Sequence, residues 1–289
     1  MSNNLITITF LILSLSSIAA NAQSKPTLED AVREQYVEQL NENDIKEMTQ
    51  NDSLLALDQY SHFMSEKELT DISNKPDAAT FVLPLSKQVL YIRIPIFHAK
   101  TAVQLQNALE KIIQQLNVTY IIVDLRDNHG GLLNAAIEVA DQFVANGVLA
   151  TTKGRIDIAN LVFLAKPNDM LEGNKVAVLI NKNTASAAEL LAGILKFNAN
   201  ACILGQNSYG KSAVQTQIPL SNGGAISLTT AIYYFSNGQT VNKLGIKPDV
   251  DISTWQNWRN PPYTIDQTPR IQWLQNPLIE KSIHCLNSK

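Results

Sequence analysis

Residues 183–215 read NTASAAELLAGILKFNANACILGQNSYGKSAVQ, and the interpretation of this stretch decides the fold. It holds Ser186 in a run of small residues, Lys211 twenty-five positions later, and Gln215 four beyond that. Within it, Gly205–Ser212 (GQNSYGKS) matches the phosphate-binding pattern G-x-x-x-x-G-K-S. A phosphate loop needs the chain to enter a helix at Lys-Ser, so that the helix N-terminus faces the phosphates. Here Val214 to Ile218 alternates with period two, which predicts a strand. Pro219 and the Asn222-Gly223-Gly224 turn then exclude a long helix. YIIVDL (Tyr120–Leu125) resembles the Asp-ended strand of a second nucleotide motif, but such strands are common by chance. Ser208-Tyr209-Gly210-Lys211 also fits the S-x-x-K of penicillin-binding enzymes. That motif needs a helix, which Gly210 disfavours, and no S-D-N or K-T-G partner is present.

Working outward, the chain alternates. Val89–Ile96 reads as a strand, Thr101–Asn117 as an amphipathic helix, Thr119–Leu125 as a buried strand and Leu132–Phe143 as a helix. Strands follow at Val148–Thr151 and Lys175–Ile180, then a helix at Ala185–Leu195. Ala201–Leu204, Ala213–Ile218 and Ala225–Tyr234 read as strands and Asn276–Leu286 as a last helix. This order predicts an α/β fold with a mixed, largely parallel sheet and flanking helices. Before it lies a helical arm. Thr27 opens a helix of the form LEDAVREQYVEQL, a short helix covers Asp52–Asp58, and Ser65 with Glu68 makes a capping box. Asn74–Asp77 is a break.

The first 22 residues read as a secretory signal: Leu5–Ala19 is apolar, and Ala20-Asn21-Ala22 fits an A-x-A cleavage site. The expected division is 1–22 signal peptide, 23–75 helical arm and 76–289 α/β core, in a periplasmic or secreted protein. The formal net charge of −3 argues against a nucleic-acid partner. The four histidines lie far apart with no metal-ligand spacing, and neither a metal nor a cofactor is expected. Export would permit a disulfide between Cys202 and Cys285. Cys202, inside the apolar run ACIL, reads first as a small buried core residue.

Two loops follow strands and precede helices: Arg126–Gly131 and Asn181–Ala185. Ligands bind at the carboxyl ends of strands in such sheets. Ser186 is therefore expected at a helix N-terminus, where free N–H groups stabilise negative charge. The Ala187 N–H suits an oxyanion, and Gly130-Gly131 permits a second N–H to approach closely. Taken singly, Ser186 is a helix cap, Lys211 a solvated lysine and Gly130-Gly131 a tight turn.

Together they resemble the C-terminal processing peptidase (tail-specific protease) family of serine proteases. Its D-L-R-x-N-x-G-G loop is similar to Asp124–Gly131, its S/T-A-S-A-S-E to Thr184–Glu189, and its F/Y-G-K-G-x-V-Q to Tyr209–Gln215. Leu57–Phe63 resembles its L-D-P-H-S-x-Y arm segment. The resemblance implies Ser186 as nucleophile, Lys211 as general base, Gln215 holding that lysine by a neutral hydrogen bond, and Gly131 and Ala187 as oxyanion donors. It implies a protein or peptide substrate. Three residues depart from the pattern: His129 for Pro or Gly, Ala188 for Ser and Ser212 for Gly. The usual PDZ insertion is also missing, since Asp71–Ser86 is too short to hold one. That leaves tail recognition open, and leaves room for an adaptor protein in its place or for a homo-oligomer. The rival functions are a nucleotide hydrolase using Gly205–Ser212 and a catalytically silent, ligand-binding member of the fold. The latter would have lost Ser186 or Lys211, and both are present.

Overall fold

A computed structural model describes residues 25–50, 57–73, 78–167, 170–171, 173–241, 243–253 and 276–288. The signal-peptide reading, the break at 74–77 and most of the helix expected at Asp52–Asp58 lie outside them; Leu57 and Asp58 are not helical.

The core is a six-stranded sheet in the order β11-β8-β7-β4-β3-β2. Its strands are β2 (Phe81–Pro84), β3 (Val89–Arg93), β4 (Tyr120–Asp124), β7 (Lys175–Ile180), β8 (Cys202–Gly205) and β11 (Val250–Asp251). All neighbours are parallel except β2 on β3. The near-continuous apolar runs of β3, β4 and β7 follow from burial on both faces. One face, with Ile92, Val123 and Val178, packs under α4 (Thr101–Ile113), α5 (Leu133–Ala140) and α6 (Ala187–Asn198). The other, with Tyr91, Ile122 and Leu179, receives α7 (Pro277–Ser288) through Leu278, Ile279 and Leu286. Cys202 is buried on this second face, as expected, and is disulfide-bonded to Cys285 of α7, with their Cα atoms 6.3 Å apart.

Largely parallel describes only this sheet. A second sheet is wholly antiparallel, in the order β1-β10-β5-β6 with β9 also on β10. It comprises β1 (His62–Met64), β5 (Val148–Gly154), β6 (Val162–Leu164), β9 (Ala213–Pro219) and β10 (Ala225–Phe235). β5 runs past its expected end because Gly154 pairs with Ala231.

The arm closes on this second sheet. Ala31 and Val32 of α1 (Leu28–Gln35), with Tyr36 directly after it, pack with Ile218, Ile226 and Leu228. α1 stops before its expected end because Val37 gives its amide to the Thr229 carbonyl (2.9 Å), a sheet bond that displaces the next helical one. A helix the sequence reading missed, α2 (Glu42–Gln50), has Asn41 accepting from the Asp44 amide at its start (2.9 Å). α3 (Glu66–Ser73) has the expected capping box: the Ser65 amide donates to Glu68 (2.8 Å) and the Glu68 amide to Ser65 Oγ (3.3 Å). Only residues 74–80 join α3 to β2, too few for a PDZ domain.

Candidate active site

Two loops leave adjacent parallel strands side by side, because β4 and β7 pair with Asp124 opposite Leu179. The first loop, after β4, is anchored by charge. Asp124 is fully buried and accepts from Arg126 Nε (2.9 Å), Arg93 Nη1 (2.9 Å) and Tyr91 Oη (2.6 Å). Burial alone would push its carboxyl up; the Arg126 charge and hydrogen bonds, with Arg93 and Tyr91, hold it below the ordinary range. Such a cluster adds little net stability, but any member left alone is costly, so it fixes where the loop begins.

The second loop is stitched to the first. Thr184 Oγ1 donates to the Leu125 carbonyl (2.9 Å), and the Ala185 amide donates to the Asn128 carbonyl (3.0 Å). The next residue, Ser186, opens α6 with φ 55° and ψ −119°, a conformation costly for a residue with a Cβ. A strained strand-to-helix turn of this kind is how a nucleophile is presented. It is held by the Ser186 amide donating to Glu189 (2.9 Å) and by the Leu190 amide donating to the Ser186 carbonyl (2.9 Å).

Gly130 and Gly131 lie against this turn. Phe97 clips them on both sides: its amide donates to the Gly130 carbonyl and its carbonyl accepts from Leu132, each at 2.9 Å. Gly131, at φ 130°, could carry no Cβ, which would sit 2.0 Å from the Phe97 oxygen. A Cβ on Gly130 would come within 3.0 Å of the Ser186 Cβ. Among the described residues, the amides of Gly131 and Ala187 have no protein partner. Gly131, Ala187, Ser186 and Gln215 line one groove of about 920 Å3, with Phe97 and Tyr233 among its other walls.

Lys211 lies on the link between the two sheets, after β8 and before β9, and is not among the residues that line the Ser186 groove. Its organiser is Glu189, fully buried, whose carboxylate accepts from the amides of Ser186 (2.9 Å), Lys211 (2.8 Å) and Gly210 (2.6 Å) and from Ser208 Oγ (2.5 Å). One carboxylate thus fixes the backbone of both Ser186 and Lys211. Burial pushes the Glu189 carboxyl up against the pull of those four donors; with four donors aimed at it, it serves as an ionised acceptor. The sequence reading assigned Glu189 no role, although Ser186-Ala187-Ala188-Glu189 is a capping-box pattern.

The Lys211 side chain packs on the arm, its Nζ 4.7 Å from the centre of the Tyr60 ring. Burial lowers its pKa below the ordinary lysine value, and Asp58 opposes that shift. Asp58 itself accepts from the Tyr60 (2.7 Å) and Ser61 (2.8 Å) amides. The Nε2 of Gln215, the residue expected to hold Lys211, donates to Thr229 Oγ1 (3.2 Å). Thr229 in turn gives its amide to Ser61 Oγ (3.0 Å), so Gln215 too is tied to the arm.

The rival readings of Gly205–Ser212 do not survive. Lys211 and Ser212 lead into strand β9 rather than a helix, so no helix N-terminus faces a phosphate. Ser208 is in irregular chain, its hydroxyl donating to Glu189 and accepting from the Ile246 amide (2.6 Å).

The family model for Peptidase family S41 matches residues 88–252. The chain is 40% identical over 163 residues to the carboxy-terminal-processing protease of Bartonella bacilliformis, covering 55% of this chain and 38% of that protein. Among solved structures, a photosystem II D1 C-terminal processing protease aligns with a TM-score of 0.52 at 30% identity, over 67% of this chain and 47% of the other. A lipoprotein from Streptococcus agalactiae aligns with a TM-score of 0.62 over 78% of this chain and 89% of the other; at 18% identity that likeness is one of fold. The chain spans less than two fifths of the length of the curated relatives it matches.

Proposed function

The chain belongs to Peptidase family S41, and from that premise we propose that it is an exported serine endopeptidase acting on unfolded or partner-delivered proteins. The observation that carries this is the strained Ser186 turn, which shares a groove with two unpartnered amides, Gly131 and Ala187. In this reading Lys211, as the neutral amine, takes the Ser186 Oγ proton while Oγ attacks the scissile carbonyl carbon. The developing oxyanion is held by the Gly131 and Ala187 N–H groups. The lysine then passes its proton to the leaving amine, and water hydrolyses the acyl-serine with the same base. A lysine at its reference pKa of ~10.4 is mostly protonated near neutrality, and burial of Lys211 moves it in the useful direction. Gln215, held by Thr229, supports the wall of the groove.

The Ala20-Asn21-Ala22 site and the Cys202–Cys285 disulfide support export, because disulfides persist in oxidising compartments. With only residues 74–80 between α3 and β2, selection falls to the groove or to an adaptor. The test is degradation of casein by wild-type protein and by Ser186→Ala. Cleavage by the wild type alone is expected; equal cleavage by both, or by neither, overturns the reading.

A further inference from the structure

A second cavity of about 310 Å3 opens beside the groove. Leu132, Leu133, Asn134, Val214 and Thr216 line both, so the two spaces adjoin. Leu132 directly follows Gly131, which puts one wall of the cavity a single residue from a proposed oxyanion donor. No ionisable side chain lines it. Its far wall is the turn between β5 and β6, which contributes Ile156, Ile158 and Leu161. Ile158 is 79% exposed, Leu132 53% and Leu161 46%. Apolar side chains left open around a concave space are what a ligand's apolar group would cover.

The wall is built in advance. Thr152 Oγ1 donates to the Ala159 carbonyl (2.7 Å) and accepts from the Leu161 amide (3.1 Å). Asn160 Nδ2 donates to the Ile156 carbonyl (2.9 Å), and Arg155 Nε to the Tyr36 carbonyl of the arm (3.0 Å). A wall held this way costs little ordering when a substrate enters.

We propose that this cavity is a substrate subsite for a large aliphatic or aromatic side chain next to the scissile bond, with Ile158 and Leu161 as specificity-determining residues. The inference rests on the peptidase reading above and names its substrate class. The occupant is a side chain of the peptide in the groove, because the cavity adjoins that groove and offers a charged side chain no partner. Folded proteins bury such side chains and unfolded ones expose them, so the subsite itself selects unfolded substrate.

The experiment measures kcat/KM for peptides differing at one position beside the cleaved bond, Ala, Leu, Phe, Asp or Lys, with wild type, Ile158→Asp and Leu161→Asp. Wild type should favour Leu or Phe over Ala by about tenfold or more, the range one apolar contact supplies. Leu161→Asp should lose that preference and improve on the Lys peptide. Both positions are exposed, and thermal melting checks the fold; if either variant unfolds, the wild-type profile alone decides. Ser186-dependent cleavage with no apolar preference, or a preference unchanged in both folded variants, overturns the subsite alone. No Ser186-dependent cleavage of any peptide overturns the peptidase reading and the subsite with it.

Discussion

Ser186 and Gly131 hang from the ends of two neighbouring parallel strands, whereas Lys211 sits on a link between two sheets and leans on the N-terminal arm. The first half is held by neighbouring backbone and a buried ion cluster: the Phe97 clip, the Asn128–Ala185 bond and Asp124 with its arginines leave its loops little freedom. The second half is held by side chains from far along the chain: Tyr60 lies under the Lys211 amine, and Ser61 and Thr229 hold Gln215. Glu189 is the joint between them. In the proposed mechanism the oxyanion donors therefore belong to the core, and the ionisation of the base is the adjustable part.

The largest effect should come from the reacting groups. Ser186→Ala and Lys211→Ala are each expected to lower kcat by at least about 10^4-fold, and the double variant to be no worse, because a nucleophile and its base act as a unit. Single-turnover kinetics with circular dichroism checks this; additive losses would break the pairing of the two halves. Next comes Gly131→Ala, which forces a Cβ against the Phe97 oxygen at φ 130°. Shifting one oxyanion donor should cost about 10^2–10^3 in kcat, and the strain about 1–3 kcal/mol of stability by urea titration. Near-normal kcat would show that the Gly131 amide is not a donor.

Much of the rigid half was legible because its signals are local. Asp124–Gly131 and Thr184–Glu189 are contiguous motifs on strand-loop-helix units, and strand ends are where sites form. The antiparallel sheet was only partly legible. Asn222-Gly223-Gly224 marks the turn between β9 and β10, but nothing near Thr151 and Thr152 names Tyr234 and Tyr233 as their partners, nor His62 as opposite Ser227. The surroundings of Lys211 depend on that long-range pairing. Lys211 could be named by resemblance, while Tyr60 beneath it and Thr229 as the partner of Gln215 could not.

Glu189→Gln tests the joint. Glutamine offers one acceptor oxygen where four donors converge and turns an NH2 toward the others. Stability should fall by about 1–3 kcal/mol, the cost of buried donors left unpaired. Because the Ser186 and Lys211 amides lose their shared anchor, kcat should fall by about tenfold or more while KM changes little, about 1.4 kcal/mol of transition-state stabilisation. A loss in stability with kcat unchanged would mean that Glu189 holds the fold but does not align the two halves.

The smallest expected effect is also the most specific to the adjustable half. The base must be neutral to act, so kcat/KM should rise with pH through the Lys211 pKa of the free enzyme. Burial places that limb below the ordinary lysine value, and the Asp58 charge, which favours the ammonium form, pulls it part of the way back. Removing the charge should therefore lower the pKa further. In Asp58→Asn the Oδ1 acceptor for the Tyr60 and Ser61 amides can remain, so the arm segment keeps its turn. The limb should move to lower pH, raising kcat/KM at any pH below it and leaving the plateau nearly unchanged. Other groups close to the lysine, Tyr60, Tyr209 and the anchored Glu189, are the same in both proteins. A shift in the opposite direction would mean that Asp58 acts on Lys211 by seating Tyr60 against it and keeping water away. No shift would mean that the base takes its pKa from the rigid half alone.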